Sequence, residues 1–249
     1  MKSVSPIRCF SQGLFVALFW LGVWQASSML VDKPVLFASP FDTLRALGAL
    51  LPTEEYWLSI LGSLWRVALG FFLALAMGLL LGSLSFRFSG VQVLISPLLT
   101  MIKTVPVASF IILILVWCGS DALTVIVCLL IVLPQIYFAT LNGLQSSDRE
   151  LLEMARVFRV PGGRVVWLIY RPALMPYLLV ACASGLGMAW KAGIAAEVIG
   201  NPANSIGEQL YLAKIYMATA ELFAWTLTVV LLSTLFEKLV MNLLRRVGG

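Results

Sequence analysis

The sequence predicts an all-α polytopic membrane protein with about six transmembrane helices. Hydrophobic residues make up 61% of the 249-residue chain, charged residues make up only 12%, and the mean hydropathy is +0.98. A soluble domain of this length has too small a core to bury so much apolar surface. Lipid is therefore expected to surround much of the chain. A backbone in hydrocarbon must satisfy its own hydrogen bonds, which favours helices.

Six apolar runs are long enough to cross a bilayer, since each transmembrane helix needs about 20 apolar residues. They are residues 10–31, 57–86, 91–117, 122–141, 173–199 and 220–244. We expect one helix from each run, within a single transmembrane domain that covers residues 1–249. The first run is long for the apolar part of a signal peptide, and no convincing cleavage site follows it.

The distribution of Lys and Arg predicts the orientation, because cytoplasmic segments carry an excess of basic residues. With both termini inside, the inner segments carry Lys2, Arg8, Arg87, Arg149, Arg156, Arg159, Arg164, Arg171, Arg245 and Arg246. The outer segments carry Lys33, Arg45 and Lys214 beside Asp32, Asp42, Glu54, Glu55, Asp121 and Glu208. We therefore expect a multi-pass protein of the plasma or inner membrane, in contact with lipid, with both termini in the cytoplasm. No basic patch with interleaved aromatic residues indicates a nucleic-acid partner.

Several residue types that carry chemistry are absent from the sequence. The chain has no histidine, the commonest general base and metal ligand, and its four cysteines show no C-x-x-C spacing. It contains no Gly-Lys dipeptide, so it cannot form the phosphate-binding loop of an ATPase. We therefore expect no enzyme activity, bound metal or bound cofactor in this chain. An intramembrane protease built on Ser184 would lack the histidine that accepts the serine proton.

A charged, helix-forming segment at residues 147–176 separates two of the apolar runs. Ser147 and Glu150 have the spacing of a capping box, in which the serine hydroxyl caps the helix and the glutamate reaches back. We expect a helix that extends to about Val160, where Pro161 and the two glycines after it end the helix. The cytoplasmic element as a whole covers about residues 147–163.

This helix has one apolar and one charged face. Leu151, Met154, Ala155 and Phe158 recur at three- and four-residue spacing, and Arg149, Glu153 and Arg156 lie opposite. Two interpretations are open at this point. The helix lies flat on the inner leaflet with its apolar face in lipid, or it docks onto a partner protein.

The sequence after the helix resembles the signature of the inner-membrane permease subunits of binding-protein-dependent ABC importers. That signature is Glu-Ala-Ala, three residues, Gly, nine residues, then Ile-x-Leu-Pro. Glu153, Ala155, Ile169 and Pro172 match it in register over nineteen positions (172 − 153). Met154, Arg159 and Arg171 depart from it, and Arg159 replaces the glycine of the loop after the coupling helix. We expect Gly162 and Gly163 to take over that turn.

Further segments resemble the permeases for nitrate, bicarbonate, sulfonates, taurine and thiamine precursors. They are Ser63-Leu64-Trp65-Arg66-Val67, Lys103-Thr104-Val105-Pro106, Pro172-Ala173-Leu174-Met175-Pro176 and Ala195-Ala196-Glu197. The resemblance implies a type I ABC importer permease fold, a second permease copy, an external solute-binding protein, and cytoplasmic ATPase subunits that bind the ATP. It also implies that the helix contacts the ATPase, through Glu150, Leu151, Glu153, Met154, Ala155, Arg156, Phe158, Arg159, Gly162 and Gly163.

Charged residues inside the apolar runs are candidates for the translocation pathway, because charge at bilayer depth is costly and usually faces a cavity or a partner. The candidates are Lys103, Lys191 and Glu197. The two lysines would form an electropositive lining for an anionic solute. Alternatively, the three residues belong to buried ion pairs that hold helices in register, which we favour of the two.

Two other transporter classes remain open. A vitamin-importer coupling subunit would usually carry two Ala-Arg-Gly elements, and this chain has only Ala155-Arg156 without the glycine. An ion-gradient-driven secondary transporter would keep transporting when ATP is removed. The sequence does not name the solute.

Overall fold

The computed structural model describes residues 6–31, 33 and 35–248, and these residues form helices and turns without a strand. The helices are α1 (Pro6–Val31), α2 (Pro40–Leu50), α3 (Glu54–Arg87), α4 (Ser89–Thr104), α5 (Val107–Gln145), α6 (Arg149–Val157), α7 (Gly162–Val165), a π-helical turn (Val166–Tyr170), α8 (Arg171–Gly200), α9 (Ile206–Ile215) and α10 (Thr219–Gly248). Lys2 and Asp32, used for the orientation, lie outside the described residues, as does the side chain of Arg8.

Four helices of the described residues are long and apolar enough to cross a membrane: Glu54–Arg87, Val107–Gln145, Gly162–Gly200 and Thr219–Arg246. A shorter apolar helix covers Leu18–Val31. The all-α polytopic class is therefore confirmed. The second, fourth, fifth and sixth expected spans each fall within one of the four long helices.

The third expected span, residues 91–117, is not one helix. The chain leaves the helical conformation at Val105 and Pro106, so that α4 ends at Thr104 and α5 begins at Val107. Proline has no N–H for the helix ladder, and it pushes the residue before it towards an extended backbone. Gly119 (φ 74°, ψ −174°) leaves the helical conformation and kinks α5, two residues after the expected end of that span at residue 117.

The chain divides into two compact units by its internal contacts. The first comprises Met1–Trp57 and Gln209–Thr228. Within it Trp24 donates its indole N–H to the Ala38 carbonyl at 3.0 Å and stacks on Phe223. The Tyr56 hydroxyl forms a hydrogen bond with Thr228 at 2.9 Å.

The second unit comprises Leu58–Glu208 and Val229–Gly249, and the second part of α5 lies at its centre. Helix α8 runs antiparallel along it: Gly143 lies against Leu174, Gly185 against Val132, and Gly200 against Leu123. Helix α3 runs parallel to it on another side. The fold thus places the loop with α6 after the end of α5 and before the start of α8.

Candidate functional site

The short helix α6 begins at Arg149 because Asp148 caps it. The Asp148 carboxylate accepts a hydrogen bond from the Glu150 N–H at 2.8 Å, from an extended backbone conformation. This satisfies one of the N–H groups that a helix start leaves without a partner. The prediction that Ser147 is the cap is wrong: its hydroxyl is buried and forms no hydrogen bond within the described part of the chain. A carboxylate is also favoured at the positive end of the helix dipole.

Helix α6 ends at Val157, earlier than the sequence predicts. The Val160 N–H donates to the Ala155 carbonyl at 2.9 Å, and the Arg159 N–H donates to the Arg156 carbonyl at 3.1 Å. These are the two hydrogen bonds of a Schellman motif, whose turn residue adopts a left-handed conformation. That residue is Arg159, with φ 52°.

The turn therefore lies where the importer signature has its glycine. The expectation that Gly162 and Gly163 take over the turn is wrong, because both residues are already in α7, which begins after Pro161. Neither has a positive φ among the described backbone angles. A left-handed residue is required where the Schellman hydrogen bonds close, and those bonds fix its place at Arg159.

The apolar face of α6 borders a groove rather than a closed core. Leu151, Met154 and Phe158 are exposed, Phe158 by 74%, whereas Ala155 is only 7% exposed. A cavity of about 330 Å³ lies between this face and the following segment. Its walls include Leu151, Met154, Phe158, Val165, Leu168 and Ile169. The groove is almost entirely apolar, and Arg164 is the only charged residue in its lining.

Charged side chains of α6 and of the turn that follows it surround this groove. Glu150, Glu153, Arg156 and Arg159 are all exposed. Among the described residues the one ion pair within 4.0 Å joins Arg66 and Glu197, so these four charges are not paired with one another. The surface from Asp148 to Ile169, which we call the α6 surface, thus combines an apolar groove with unpaired charges of both signs.

Lys103 lies in the last turn of α4, beside the break in the third span. Its ammonium group is 4.3 Å from the centre of the Phe138 ring, a cation–π contact. Lys103 lines two cavities, of about 430 and 540 Å³, which also share Gln135 and Ser184. The structure thus places this candidate at two open cavities of the second unit, where Lys103 and Ser184 are exposed. Gln135 and Ser184 were not predicted as pathway residues, since a lone polar side chain in an apolar run carries no distinctive spacing.

Lys191 is exposed on α8 and does not line either of these cavities. It follows Ser184 by seven residues, about 10 Å along the helix axis. The structure therefore does not bring Lys191 together with Lys103 in one cavity lining.

Glu197 is fully buried on α8 and is not in the lining of either cavity. Its carboxylate accepts hydrogen bonds from the Ser63 hydroxyl at 2.5 Å and from the Gly207 N–H at 3.3 Å. The Arg66 guanidinium lies 3.8 Å from the other carboxylate oxygen. The ion pair of Glu197 is thus formed with Arg66, and not with Lys103 or Lys191, the two lysines that were predicted to share buried ion pairs with it.

The same cluster also holds the loop between α8 and α9. Arg66 donates to the carbonyls of Ala203 at 2.9 Å and Asn204 at 3.2 Å. The Ser63 hydroxyl accepts a hydrogen bond from the Ile206 N–H at 2.9 Å. We name Ser63, Arg66 and Glu197 the buried polar cluster. It joins α3, α8 and the start of α9.

Residues 70–249 match the family described as binding-protein-dependent transport system inner membrane component. The putative aliphatic sulfonates transport permease protein SsuC of Bacillus subtilis (strain 168) is 27% identical over 239 residues, which cover 94% of this chain and 86% of that protein. The taurine transport system permease protein TauC of Escherichia coli (strain K12) is 21% identical over 220 residues, covering 86% and 80%.

A solved structure has a similar fold. It is that of a bacterial ABC transporter involved in the import of the acidic polysaccharide alginate, with a TM-score of 0.61 at 14% identity. The superposition covers 96% of this chain and 94% of the other.

Proposed function

The chain belongs to the family of binding-protein-dependent transport system inner membrane components, and from this premise we propose that it forms the translocation pathway of an ATP-driven importer. A separate cytoplasmic ATPase binds the α6 surface and hydrolyses the ATP. An external binding protein delivers the solute, and a second permease copy completes the pathway. Both termini lie in the cytoplasm, as the distribution of basic residues predicts.

The observation that carries this proposal is the α6 surface. Helix α6 is too short and too charged to span a membrane, and it presents an apolar groove surrounded by unpaired charges. A helix lying on lipid would turn its apolar side chains towards the acyl chains. Here Leu151, Met154 and Phe158 face a groove that they form with Leu168 and Ile169. A partner that inserts an apolar side chain into the groove and pairs with Glu153 and Arg156 fits this surface.

The proposed solute is a small sulfonate or a related anion. The support is the likeness to relatives whose names refer to aliphatic sulfonates and taurine. The matches cover 86% and 80% of the length of these two relatives.

Transmission of force follows from the connections of α6. Only three residues, 146–148, separate α6 from the 39-residue helix α5. On its other side a turn, α7 and the π-helical turn lead directly into α8. When the ATPase subunits close, they displace α6, and these short connections pass the displacement to α5 and α8, which pack along each other. We expect a rigid-body tilt, because closely packed helices do not deform continuously.

The experiment that tests this proposal compares two double variants of the tagged full chain. Glu153→Ala/Phe158→Ala removes a charge and the most exposed aromatic side chain of the α6 surface. Glu54→Ala/Phe41→Ala removes the same residue types, both exposed, from segments predicted to lie outside. Each chain is purified from its native membrane in mild detergent, and the accompanying proteins are identified by mass spectrometry. ATP-dependent uptake of an alkanesulfonate is measured in the same cells.

We expect an ATPase subunit to accompany the wild type and the control variant, and to be lost with Glu153→Ala/Phe158→Ala. The loss of one buried aromatic anchor and one charge at an interface weakens binding by about 2–4 kcal/mol. ATPase capture that is unchanged in the α6 variant contradicts the coupling role. Solute movement that continues in vesicles without ATP, in a chain purified alone, makes the protein a secondary transporter instead.

A further inference from the structure

The break in the third span lies beside the two cavities of the second unit that Lys103 lines. Val105 (φ −73°, ψ 132°) and Pro106 (φ −57°, ψ 132°) are both extended, between the end of α4 and the start of α5. A non-helical backbone inside a membrane protein is tolerated where it is buried in protein or lines a water-filled cavity. Val105 lines the smaller cavity and is 37% exposed, so this extended backbone lies beside an open cavity and not in a closed core.

Both halves of the broken span lie along the second part of α5. Ser96 of α4 forms a hydrogen bond with Tyr137 at 2.9 Å. Ile111 and Ile114, from the first part of α5, pack in one apolar cluster with Leu123 and Val127. The break therefore lies between two segments that both pack against the second part of α5, and its residues Val105 and Pro106 are exposed. Broken helices are a recurring way to build solute sites in transporters.

Three polar side chains separate the two cavities. Lys103, Gln135 and Ser184 belong to both linings, and they come from α4, α5 and α8. The rest of the smaller cavity is lined by apolar side chains such as Phe110, Leu130 and Met188. The larger one is lined by Ala139, Val180 and Ala181, with Tyr177 as its other polar residue. A solute in either cavity would therefore lie beside these same three side chains.

The charge at this junction is positive and not neutralised by the protein. Neither cavity lining contains a carboxylate, and the one ion pair among the described residues involves other groups. Within the described parts of the chain, the ammonium group of Lys103 contacts the Phe138 ring and no carboxylate, and a ring face does not replace a counter-ion. Val107, the first residue of α5, also lines the smaller cavity, and a helix start favours negative charge.

The neutral members of the junction complement an oxyanion. The Gln135 amide nitrogen donates hydrogen bonds to the Ile131 carbonyl at 3.3 Å and to the Met188 sulfur at 3.0 Å. A thioether is a weak acceptor, so an oxyanion can replace it as the partner of that N–H, and the Ser184 hydroxyl can also donate a hydrogen bond. One ammonium, one amide and one hydroxyl beside apolar walls match a compact oxyanion joined to a short aliphatic chain.

We propose that Lys103, Gln135 and Ser184 form a binding site for the oxyanion group of the transported solute, at the junction of the two cavities. The identification of a sulfonate as that group rests on the proposed function. Lys103 supplies the charge, whereas Gln135 and Ser184 orient the oxygens. The aliphatic part of the solute lies against the apolar wall.

The test measures the charge preference of a thiol placed at the junction. Ser184→Cys is introduced into the full chain with Cys9 and Cys118 replaced by serine, which leaves the buried Cys128 and Cys182. The chain is reconstituted in phosphatidylcholine nanodiscs. Its reaction rate is measured with 2-sulfonatoethyl methanethiosulfonate, an anion, and with the trimethylammonium analogue, a cation. The same chain without Ser184→Cys gives the background, and Ala139→Cys gives a second position in the larger cavity.

We expect the ratio of the anionic to the cationic reaction rate to be higher for the introduced thiol than for a free thiol in water. Lys103→Met should lower the preference roughly tenfold, the low end of the effect that a focused charge has on local ion concentration. Lys103→Arg should retain the preference. Lys214→Met, which removes the charge of an exposed lysine that lines neither cavity, should leave it unchanged. Methanesulfonate added in excess should slow the anionic reagent.

Three results overturn the proposal: no reaction of either thiol, the same preference with Lys103→Met, or an equal fall with Lys214→Met. Loss of the preference in nanodiscs of anionic phosphatidylglycerol assigns the site to a lipid headgroup and also overturns it. If Lys103→Met does not yield folded protein, Lys103→Gln removes the same charge. These rates require neither the ATPase nor the binding protein, so their outcome is independent of the test of the proposed function.

Discussion

Arg159 holds the end of α6 in a backbone conformation that an arginine adopts at a cost. Its φ of 52° puts it in the left-handed region, where the Cβ of an L-residue approaches the following carbonyl oxygen. The Schellman hydrogen bonds to Ala155 and Arg156 close only with a residue in this conformation. The side chain is exposed and has no ion-pair partner among the described residues, so no contact in the structure offsets the strain.

We expect Arg159→Gly to stabilise the protein by on the order of 0.5–1 kcal/mol, since glycine adopts the left-handed conformation without the Cβ penalty but gains freedom in the unfolded chain. The thermal unfolding midpoint in detergent measures this. Arg156→Gly is the matched control, because Arg156 lies inside α6, where glycine costs about 1 kcal/mol. A midpoint that rises with Arg159→Gly and falls with Arg156→Gly supports the left-handed turn at Arg159. A fall of the midpoint in both variants places the turn elsewhere.

At the scale of elements, α3 contacts α5 through a line of small residues. Gly70, Ala74, Gly78 and Gly82 recur every four residues, and all four are buried. A Cβ at Gly78 would lie 2.7 Å from the Cβ of Ile136, and one at Gly82 would lie 2.7 Å from the Cβ of Thr140. Small residues at this spacing allow two membrane helices to approach closely, which increases their van der Waals contact.

Gly78→Ala should therefore destabilise the protein by about 1–3 kcal/mol, because the backbones of α3 and α5 must move apart to admit the methyl group. Gly187→Ala is the control, since a Cβ at Gly187 has no atom within 4 Å in the described structure. For Gly187→Ala we expect no loss of stability, and a gain of up to about 1 kcal/mol from helix propensity. The thermal unfolding midpoints of both variants measure these changes. Equal values for Gly78→Ala and wild type would mean that the two helices do not pack at this distance.

At the scale of the whole molecule, the buried polar cluster joins segments that are far apart in the chain. Ser63 and Arg66 come from α3, Glu197 comes from the end of α8, and the backbone they bind lies in residues 203–207. Both charges are largely removed from water, since the Arg66 side chain is only 17% exposed and the Glu197 side chain is not exposed. Removing either charge therefore leaves the other buried without its partner. The cluster thus fixes the loop after α8 relative to α3.

Removal of one charge of this pair should destabilise the protein far more than removal of both charges. We expect Arg66→Met to cost about 3 kcal/mol of stability, the low end for a broken buried ion pair, since the guanidinium is partly exposed. Arg66→Met/Glu197→Met should recover much of that loss, which a double-mutant cycle of unfolding free energies measures. Lys191→Met, a charge removal on the exposed part of α8, should change stability by less than about 0.5 kcal/mol. Additive losses in the cycle would exclude a coupled pair.

The sequence by itself determined the class of protein, most of the spans and the region of α6. These follow from composition, hydrophobic periodicity and short-range signals, all of which act between residues close in the chain. The resemblance to the importer signature also pointed to the segment that contains α6, because Glu153, Ala155, Ile169 and Pro172 are spaced along one continuous stretch of the chain. The same local signals did not separate Ser147 from Asp148 as the cap, since both residue types cap helices and lie next to each other.

Only the tertiary structure decided which charges meet and where cavities form. Glu197 could have paired with any basic residue of another helix, and the packing of α3 against α8 selected Arg66. Similarly, Gln135 and Ser184 lie almost 50 residues apart in the chain (184 − 135), and they share a cavity lining with Lys103 because α4, α5 and α8 converge there. The physical reason is that helix packing depends on the shape and contacts of whole surfaces, which no spacing within one helix specifies.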